Sequence, residues 1–437
     1  MGELPTLMDQ ETTLKMFTRK GKAAAAVAVG ALVFSALAGA PPSGADPQQF
    51  TALVGVGSDT TQEVMNAMAG FNQGIQYEPI ISSNGLITAS WDATNAGDPT
   101  PSCIITRTGF GAFQRPNGST EGRIALSEAI DPAAVDSGGG LAAGYGTGAV
   151  NCGAGLYSST VGQVDFARSS SGPKTCSGAA CRLTQIPFGR DGLGYAYYGN
   201  GVTPVTTFTR AELQAIFTTS TPQLFDPDGA GGPLPPHEVI GCDIQTGSGT
   251  RSSWATAMGS TTAIIQAGTA DCAIGGTQQF MQEHDADGFY AVASNAAFAG
   301  KQVLVAHSGS TWIAQANGVS LDRGATARAN GVDLGSIINA AGTNLGKPYT
   351  GTGPLAPSST FYTDTTFGRD LYTVVNRTAV GIPGNPAIKS LFVGTTSALC
   401  SETATLNSFG ILDILTRPTN PCGSTAVESR LLQATDR

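Results

Sequence analysis

Charge is scarce in this sequence. Only 13% of its 437 residues are Asp, Glu, Lys or Arg, against a usual share of about 25%. Acid outnumbers base, 32 to 23, for a net charge of −9. A nucleic-acid-binding face needs clustered Lys and Arg to replace the counterions of a phosphate backbone, so that class of partner is excluded. A small anion is not, because a local array of N–H donors can bind one inside an acidic protein. Histidine is limited to His237, His284 and His307, and no C-x-x-C pair occurs. Neither a metal centre nor a cofactor is expected from such a set. No cysteine precedes Cys103, which removes the N-terminal Cys that a lipid anchor would use. After residue 45 no apolar run approaches the ~20 residues of a membrane-spanning helix.

What is present fits an exported globular chain. Its 41% apolar content and its length suffice for two lobes with sizeable cores. Arg19, Lys20 and Lys22 followed by the apolar stretch Ala23–Ala38 and the small residues Ser43-Gly44-Ala45 read as a secretory leader cleaved after Ala45. Met16 is an alternative start, and an uncleaved anchor is the alternative reading of the segment. All eight cysteines follow it. An even count in an oxidising compartment implies disulfides. Eight cysteines allow 105 pairings; chain neighbours, 103–152, 176–181, 242–272 and 400–422, are the simplest set.

Strand and helix signals interleave, which makes the fold class α/β. Leu53–Val56 is β-prone, and Val64, Met68 and Phe71 form a helical stripe over Thr60–Phe71, with Thr60-Thr61-Gln62-Glu63 as a capping signal. A helix is expected from about Arg115 to Ile130 and a buried strand over Val161–Ala167. Leu183–Tyr198 reads as a long strand, and Thr209-Arg210-Ala211-Glu212 caps a helix reaching Phe217. Phe225–Pro236 is rich in Gly, Pro and Asp and reads as a surface loop. Strands follow at Val239–Ile244 and Val303–His307, the first leading into a helix containing Trp254 and Met258. The domain reading is a leader over 1–45, lobe 1 over 46–190, lobe 2 over 191–300, and a return to lobe 1 with a C-terminal extension over 301–437.

Three Gly/Ser/Thr turns open helices: Gly57-Ser58-Asp59-Thr60, Gly118-Ser119-Thr120 and Gly247-Ser248-Gly249-Thr250-Arg251. Each offers backbone N–H groups, hydroxyls and the positive end of a helix dipole, a combination that binds anions. One such terminus is worth only about 0.3–1 kcal/mol to a charge, and any one of them taken alone reads as a plain helix cap. The chemistry requires that all three converge.

The order of these turns, together with Val164-Asp165-Phe166-Ala167-Arg168-Ser169-Ser170, Gln185-Ile186-Pro187-Phe188, Gly192–Tyr197, Phe208–Phe217 and Val303–Asn317, resembles the phosphate-transport type of periplasmic substrate-binding protein, specifically its exported actinobacterial relatives. The resemblance runs from about Leu53 to Asn317. It implies a two-lobed, periplasmic-binding-protein-like fold (type II) with a hinge between lobes, a monomer that clamps a small oxyanion, phosphate first, and delivery to the membrane subunits of an ABC-type uptake system. By the same resemblance Ser119, Ser248, Gly249 and Thr250 match oxyanion donors, and Asp59 and Thr60 fall where the first loop supplies a hydroxyl and an N–H. Two positions depart from the pattern. The family's acidic residue falls on Ser170, and its arginine falls on Ile244. Asp59 is the candidate to replace the acid, and Arg168 or Arg251 the cation.

Catalysis has less to stand on. Ser248 lacks the Gly-x-Ser-x-Gly frame of a nucleophile elbow, and a triad with His284, Asp285 or His307 has no spacing to support it. Asp226-Pro227-Asp228-Gly229 begins like a calcium loop without the Glu at its twelfth position. The chain is expected not to be an enzyme. The alternative to uptake is a secreted binding or scaffold protein with the same fold and a different small ligand or none.

Overall fold

The computed structural model describes residues 52–72, 75–95, 100–133, 152, 161–228 and 232–436; the expected leader and its cleavage point lie outside them. All belong to one unit, Gly44–Arg437. The elements that position the site are the strands β1 (Leu53–Gly57), β2 (Thr88–Ser90), β3 (Phe166–Ser169), β4 (Leu183–Asn200), β5 (Gln223–Phe225), β6 (His237–Ile244), β7 (Phe280–Met281), β8 (Lys301–Ser308) and β9 (Gly368–Asn376). The helices are α1 (Gln62–Met68), α2 (Ser119–Ile130), α3 (Arg210–Thr218), α4 (Gly249–Ala257), α5 (Ala286–Ala293) and α6 (Gly309–Ala316).

Strand β4 explains the architecture. Its first half, Leu183–Gly192, pairs antiparallel with β9, and its second half, Leu193–Asn200, pairs antiparallel with β8. One strand therefore passes from one sheet into another, and the path runs β5-β6-β8-β4-β9-β3-β1-β2. On the first side β1 is parallel to both β2 and β3. On the second side β6 is parallel to both β8 and β7. Parallel pairs need crossover connections, and helices supply them.

The cores follow from the strand period of two. Leu53, Phe166 and Val375 face a cluster with Val64, Met68, Leu391 and Phe392. Their neighbours Val54, Ala167 and Val374 face the opposite cluster with Trp91, Phe113, Ile124 and Leu432. The second side has its own core around Tyr195, Phe208, Phe217, Trp254, Met258, Phe289 and Trp312. The fold is α/β with two lobes, as expected.

Several expectations hold, but the strand expected over Val161–Ala167 does not: Val161–Gln163 form a turn, and the strand is Phe166–Ser169. Thr209 and Glu212 form a complete capping box at α3. The four disulfides join chain neighbours, Cys103–Cys152, Cys176–Cys181, Cys242–Cys272 and Cys400–Cys422. The capping signal at Thr60–Glu63 is a correction: a 3-10 turn, Asp59–Thr61, precedes α1, and neither end has a side-chain cap. The hydroxyl of Thr60 is engaged elsewhere.

Candidate functional site

In both lobes strands of parallel pairs end at the edge where the next helix begins, and ligand sites of open α/β sheets gather at such edges. β1 leads into the Asp59–Thr61 turn, β3 into Ser170, and β6 into the 245–248 turn that opens α4. Gly118 and Gly247 bring two of these turns together. Both have positive φ, 108° and 90°, and a methyl group on Gly118 would lie 2.4 Å from the Gly247 carbonyl oxygen. Only a residue without Cβ permits that approach. The Thr120 amide donates to the same carbonyl at 3.1 Å.

The three turns meet. Ser170 Oγ lies 3.1 Å from Ser58 Oγ, 3.3 Å from Thr60 Oγ1 and 3.2 Å from Ser119 Oγ, and the Ser170 amide donates to Ser119 Oγ at 2.9 Å. Thr60 Oγ1 stands 3.4 Å from Thr250 Oγ1. Gly249 packs directly against Ser119 and Ser170. Asp59, Thr60, Ser119, Ser170, Ser248 and Thr250 are all buried. Ser253 of α4 adds a hydrogen bond to the Ser170 carbonyl at 3.2 Å.

Two charged residues that the sequence did not single out complete the cluster. Glu283, on the loop between β7 and α5, accepts from Ser248 Oγ and Thr250 Oγ1 at 2.6 Å each, and from Thr60 Oγ1. Burial raises its pKa first and the charge of Asp59 second; Arg369 and the two hydroxyls of Ser248 and Thr250 oppose the rise. Arg369, at the start of β9, donates through Nη2 to Thr250 Oγ1 at 2.8 Å and to Thr60 Oγ1 at 3.3 Å. Its Nη1 is buried with no hydrogen-bond partner among the described residues.

Asp59 does not join the hydroxyls. Its Oδ2 accepts from Gln282 at 2.8 Å and Gln245 at 3.4 Å and lies 3.4 Å from His284 Nδ1, while Oδ1 has no partner among the described residues.

Neither of the two guanidinium groups expected as the replacement cation hydrogen-bonds to the clustered hydroxyls. Arg251 turns its guanidinium away from the hydroxyls onto Asp243, with Nη2–Oδ2 at 2.6 Å, and onto Gln266 at 3.0 Å. Only its backbone amide, bound to Ser248 Oγ at 3.0 Å, touches the turn. Arg168 is spent on the carbonyls of Gly57, Ser58 and Trp91 and on Ser90 Oγ. Burial lowers its pKa to about 10. It ties β3 to β1 and β2, a structural task. Sequence reasoning missed Arg369 because its place depends on strand register across 178 residues. The only trace of Glu283 was the polar run Gln282-Glu283-His284-Asp285 after a strand.

No group of three or more His, Cys, Asp or Glu side chains among the described residues is placed to hold a metal ion. No helix among the described residues is long and apolar enough to cross a membrane.

No family model matches the chain, and no curated protein matches it. Solved structures do. An ABC-type phosphate transport receptor from Vibrio cholerae is 14% identical, with 82% of this chain and 99% of that chain covered and a TM-score of 0.39. A putative phosphate ABC transporter substrate-binding protein with bound phosphate from Clostridium perfringens is 12% identical, with 83% and 99% covered and a TM-score of 0.42. A DING protein is 11% identical, with 86% and 98% covered and a TM-score of 0.41. What this chain does is read from its own hydroxyl cluster.

Proposed function

We propose that this chain is an exported solute-binding protein whose two lobes close around a small oxyanion, with phosphate the first candidate, for delivery to an ABC-type transporter. One observation carries the reading. Hydroxyl groups from both lobes, Thr60 on one side and Ser248 and Thr250 on the other, converge on a single acidic group, the side chain of Glu283. Behind them stands a buried guanidinium with an unused Nη1. Such donors, shielded from water, suit an anion: hydrogen bonds to charged groups contribute roughly 1.5–3 kcal/mol each. Three or four reach the ~8 kcal/mol of a micromolar complex only when the donors are held in place beforehand. Phosphate leads because the order of the Gly57, Gly118 and Gly247 turns resembles the phosphate-binding family. Ligand-binding roles go to Thr60, Ser119, Ser170, Ser248, Gly249 and Thr250, with Arg369 as the cation; Asp59 adjoins them, and Arg251 supports the turn.

The hydroxyls are satisfied internally by Glu283, and this favours a second reading, a secreted scaffold whose lobes are held together without a small ligand. A thermal-shift panel of phosphate, sulfate, arsenate and sugars separates the two. A ligand at a hundred times its Kd stabilises by about 2.7 kcal/mol. We expect a shift with phosphate; no shift with any anion favours the scaffold, and turnover of an ester would make the chain a hydrolase.

A further inference from the structure

Glu283 sits where β7 ends. That strand runs parallel to β6, so both chains leave the sheet at the same edge, and the Gln245 amide bonds the Met281 carbonyl at 3.0 Å. The loop after β7 thus places Glu283 beside Ser248 and Thr250 in its own lobe and beside Thr60 in the other. Its carboxylate is buried, and both oxygens are used: Oε2 by Ser248, Oε1 by Thr60 and Thr250. Arg369 donates to the oxygens of Thr60 and Thr250, so the protons of those hydroxyls are left to face the carboxylate. A hydroxyl has one proton to give. Hydroxyls that point at Glu283 cannot at the same time serve an incoming anion.

We propose that the Glu283 side chain is a resident ligand of the oxyanion site, occupying the place an incoming anion takes, so that the anion binds by displacing it. The proposal rests on the oxyanion reading above and adds the competitor built into the site. Charge supports the exclusion. Facing Glu283 are Asp59 from the first turn and Arg369 from β9, with Asp191 of β4 already paired to Arg369. His284 follows it along the chain beside Asp59, and Arg251 and Asp243 neutralise one another. One guanidinium would then confront Asp191, Asp59, Glu283 and the anion together, and repulsion between buried like charges is weakly screened. Displacement is mechanically open: residues 282–285 lie in the connection between a strand and a helix, and glutamate is a flexible side chain. Burial and the charge of Asp59 both make the ionised carboxylate costly to keep there.

The test is calorimetric titration of inorganic phosphate, sulfate and arsenate into the wild-type chain, Glu283→Gln and Glu283→Ala, with melting curves of each in millimolar acetate. Both variants should bind phosphate about tenfold tighter than wild type or better, a change of about 1.4 kcal/mol. Acetate should raise the melting temperature of Glu283→Ala but not of wild type, and should compete with phosphate in that variant, because it restores the missing carboxylate. A wild type that ignores phosphate beside a Glu283→Ala variant that binds it supports the proposal equally. If wild type binds phosphate and the variants bind it no tighter, with acetate inert, the resident-ligand proposal fails and the oxyanion reading stands. If none of the three proteins binds any of the anions, the oxyanion reading falls and takes this inference with it.

Discussion

Arg369 and Asp191 are direct cross-strand partners in the antiparallel pair of β9 and β4, with Arg369 Nε and Nη2 at 2.9 and 2.7 Å from Asp191 Oδ2. Asp191 Oδ1 accepts from the Ser310 amide at 2.9 Å, at the start of α6. The pair lies where β4 passes from one sheet to the other. It aims the guanidinium at Thr60 and Thr250, so one ion pair links the crossing strand to the hydroxyl cluster.

Both members of that pair are buried, and removing one strands the other. Arg369→Met should therefore lower stability by roughly 3–5 kcal/mol and abolish anion-dependent stabilisation. Adding Asp191→Asn should recover part of the stability and none of the binding. Urea unfolding of the single and double variants, with and without phosphate, checks this. A single variant as stable as wild type would show that the pair is not holding the crossing strand.

Ser248→Ala and Thr250→Val each delete one donor while keeping the shape of the turn. Each should weaken phosphate binding by roughly tenfold, the scale of one hydrogen bond to a charged group. Ser248→Ala also removes the cap that accepts from the Arg251 amide, at a stability cost of about 1 kcal/mol. Thr250→Val leaves that cap intact. Titration calorimetry and melting curves together separate donor loss from cap loss.

Gly249→Ala tests lobe closure. The added methyl would lie 2.2 Å from Ser119 Oγ, 2.4 Å from Ser170 Oγ and 2.9 Å from Ser119 Cβ. The hydroxyls can rotate, but the Ser119 Cβ cannot. Gly249 opens a helix without a positive φ, so alanine suits its backbone and the clash arises only across the lobes. We expect anion binding to be lost with little change in stability, and small-angle scattering to report a more open particle.

His307 makes the chain sensitive to acid. Burial lowers its pKa from 6.5 to about 4; the neutral ring donates Nδ1–H to the Ser308 carbonyl at 2.9 Å and stands edge-on to Trp312. The unfolded chain takes up the proton first. The contribution is therefore complete above pH 6.5 and is lost as the pH falls from about 6.5 to about 4, amounting to roughly 3 kcal/mol. His307→Gln should flatten that part of the profile. Urea midpoints of wild type and variant between pH 7.5 and 4 measure it, and parallel profiles would refute it.

Cys242–Cys272 closes a 30-residue loop within the core of the second lobe. Replacing both by alanine should cost about 3–4 kcal/mol by the chain-entropy relation. The loss should appear as a lower melting temperature, with the anion-dependent shift preserved.

Features carried by neighbours in the chain were legible. The Thr209–Glu212 capping box, the helix after Gly247-Ser248-Gly249 and the long strand from Leu183 each depend on residues a few positions apart. The serine and threonine turns were legible as donors for the same reason. The partners of those donors were not. Arg251 belongs to the third turn and Arg168 lies two residues before Ser170, yet a carboxylate claims the first and a row of carbonyls the second. The capping signal at Thr60 failed because the hydroxyl finds a better acceptor in Glu283, 223 residues away.

The sequence by itself determined the kinds of group available: little charge, many hydroxyls, glycines where turns must come close, and an even set of cysteines. Tertiary structure alone decided which charge meets which hydroxyl. Strand register placed Arg369 opposite Asp191, and the shared edge of two parallel strands placed Glu283 among the donors. The reason is range: caps and turns are settled by bonds within one or two turns of chain, whereas a buried ion finds its partner only after sheets and lobes have assembled around it.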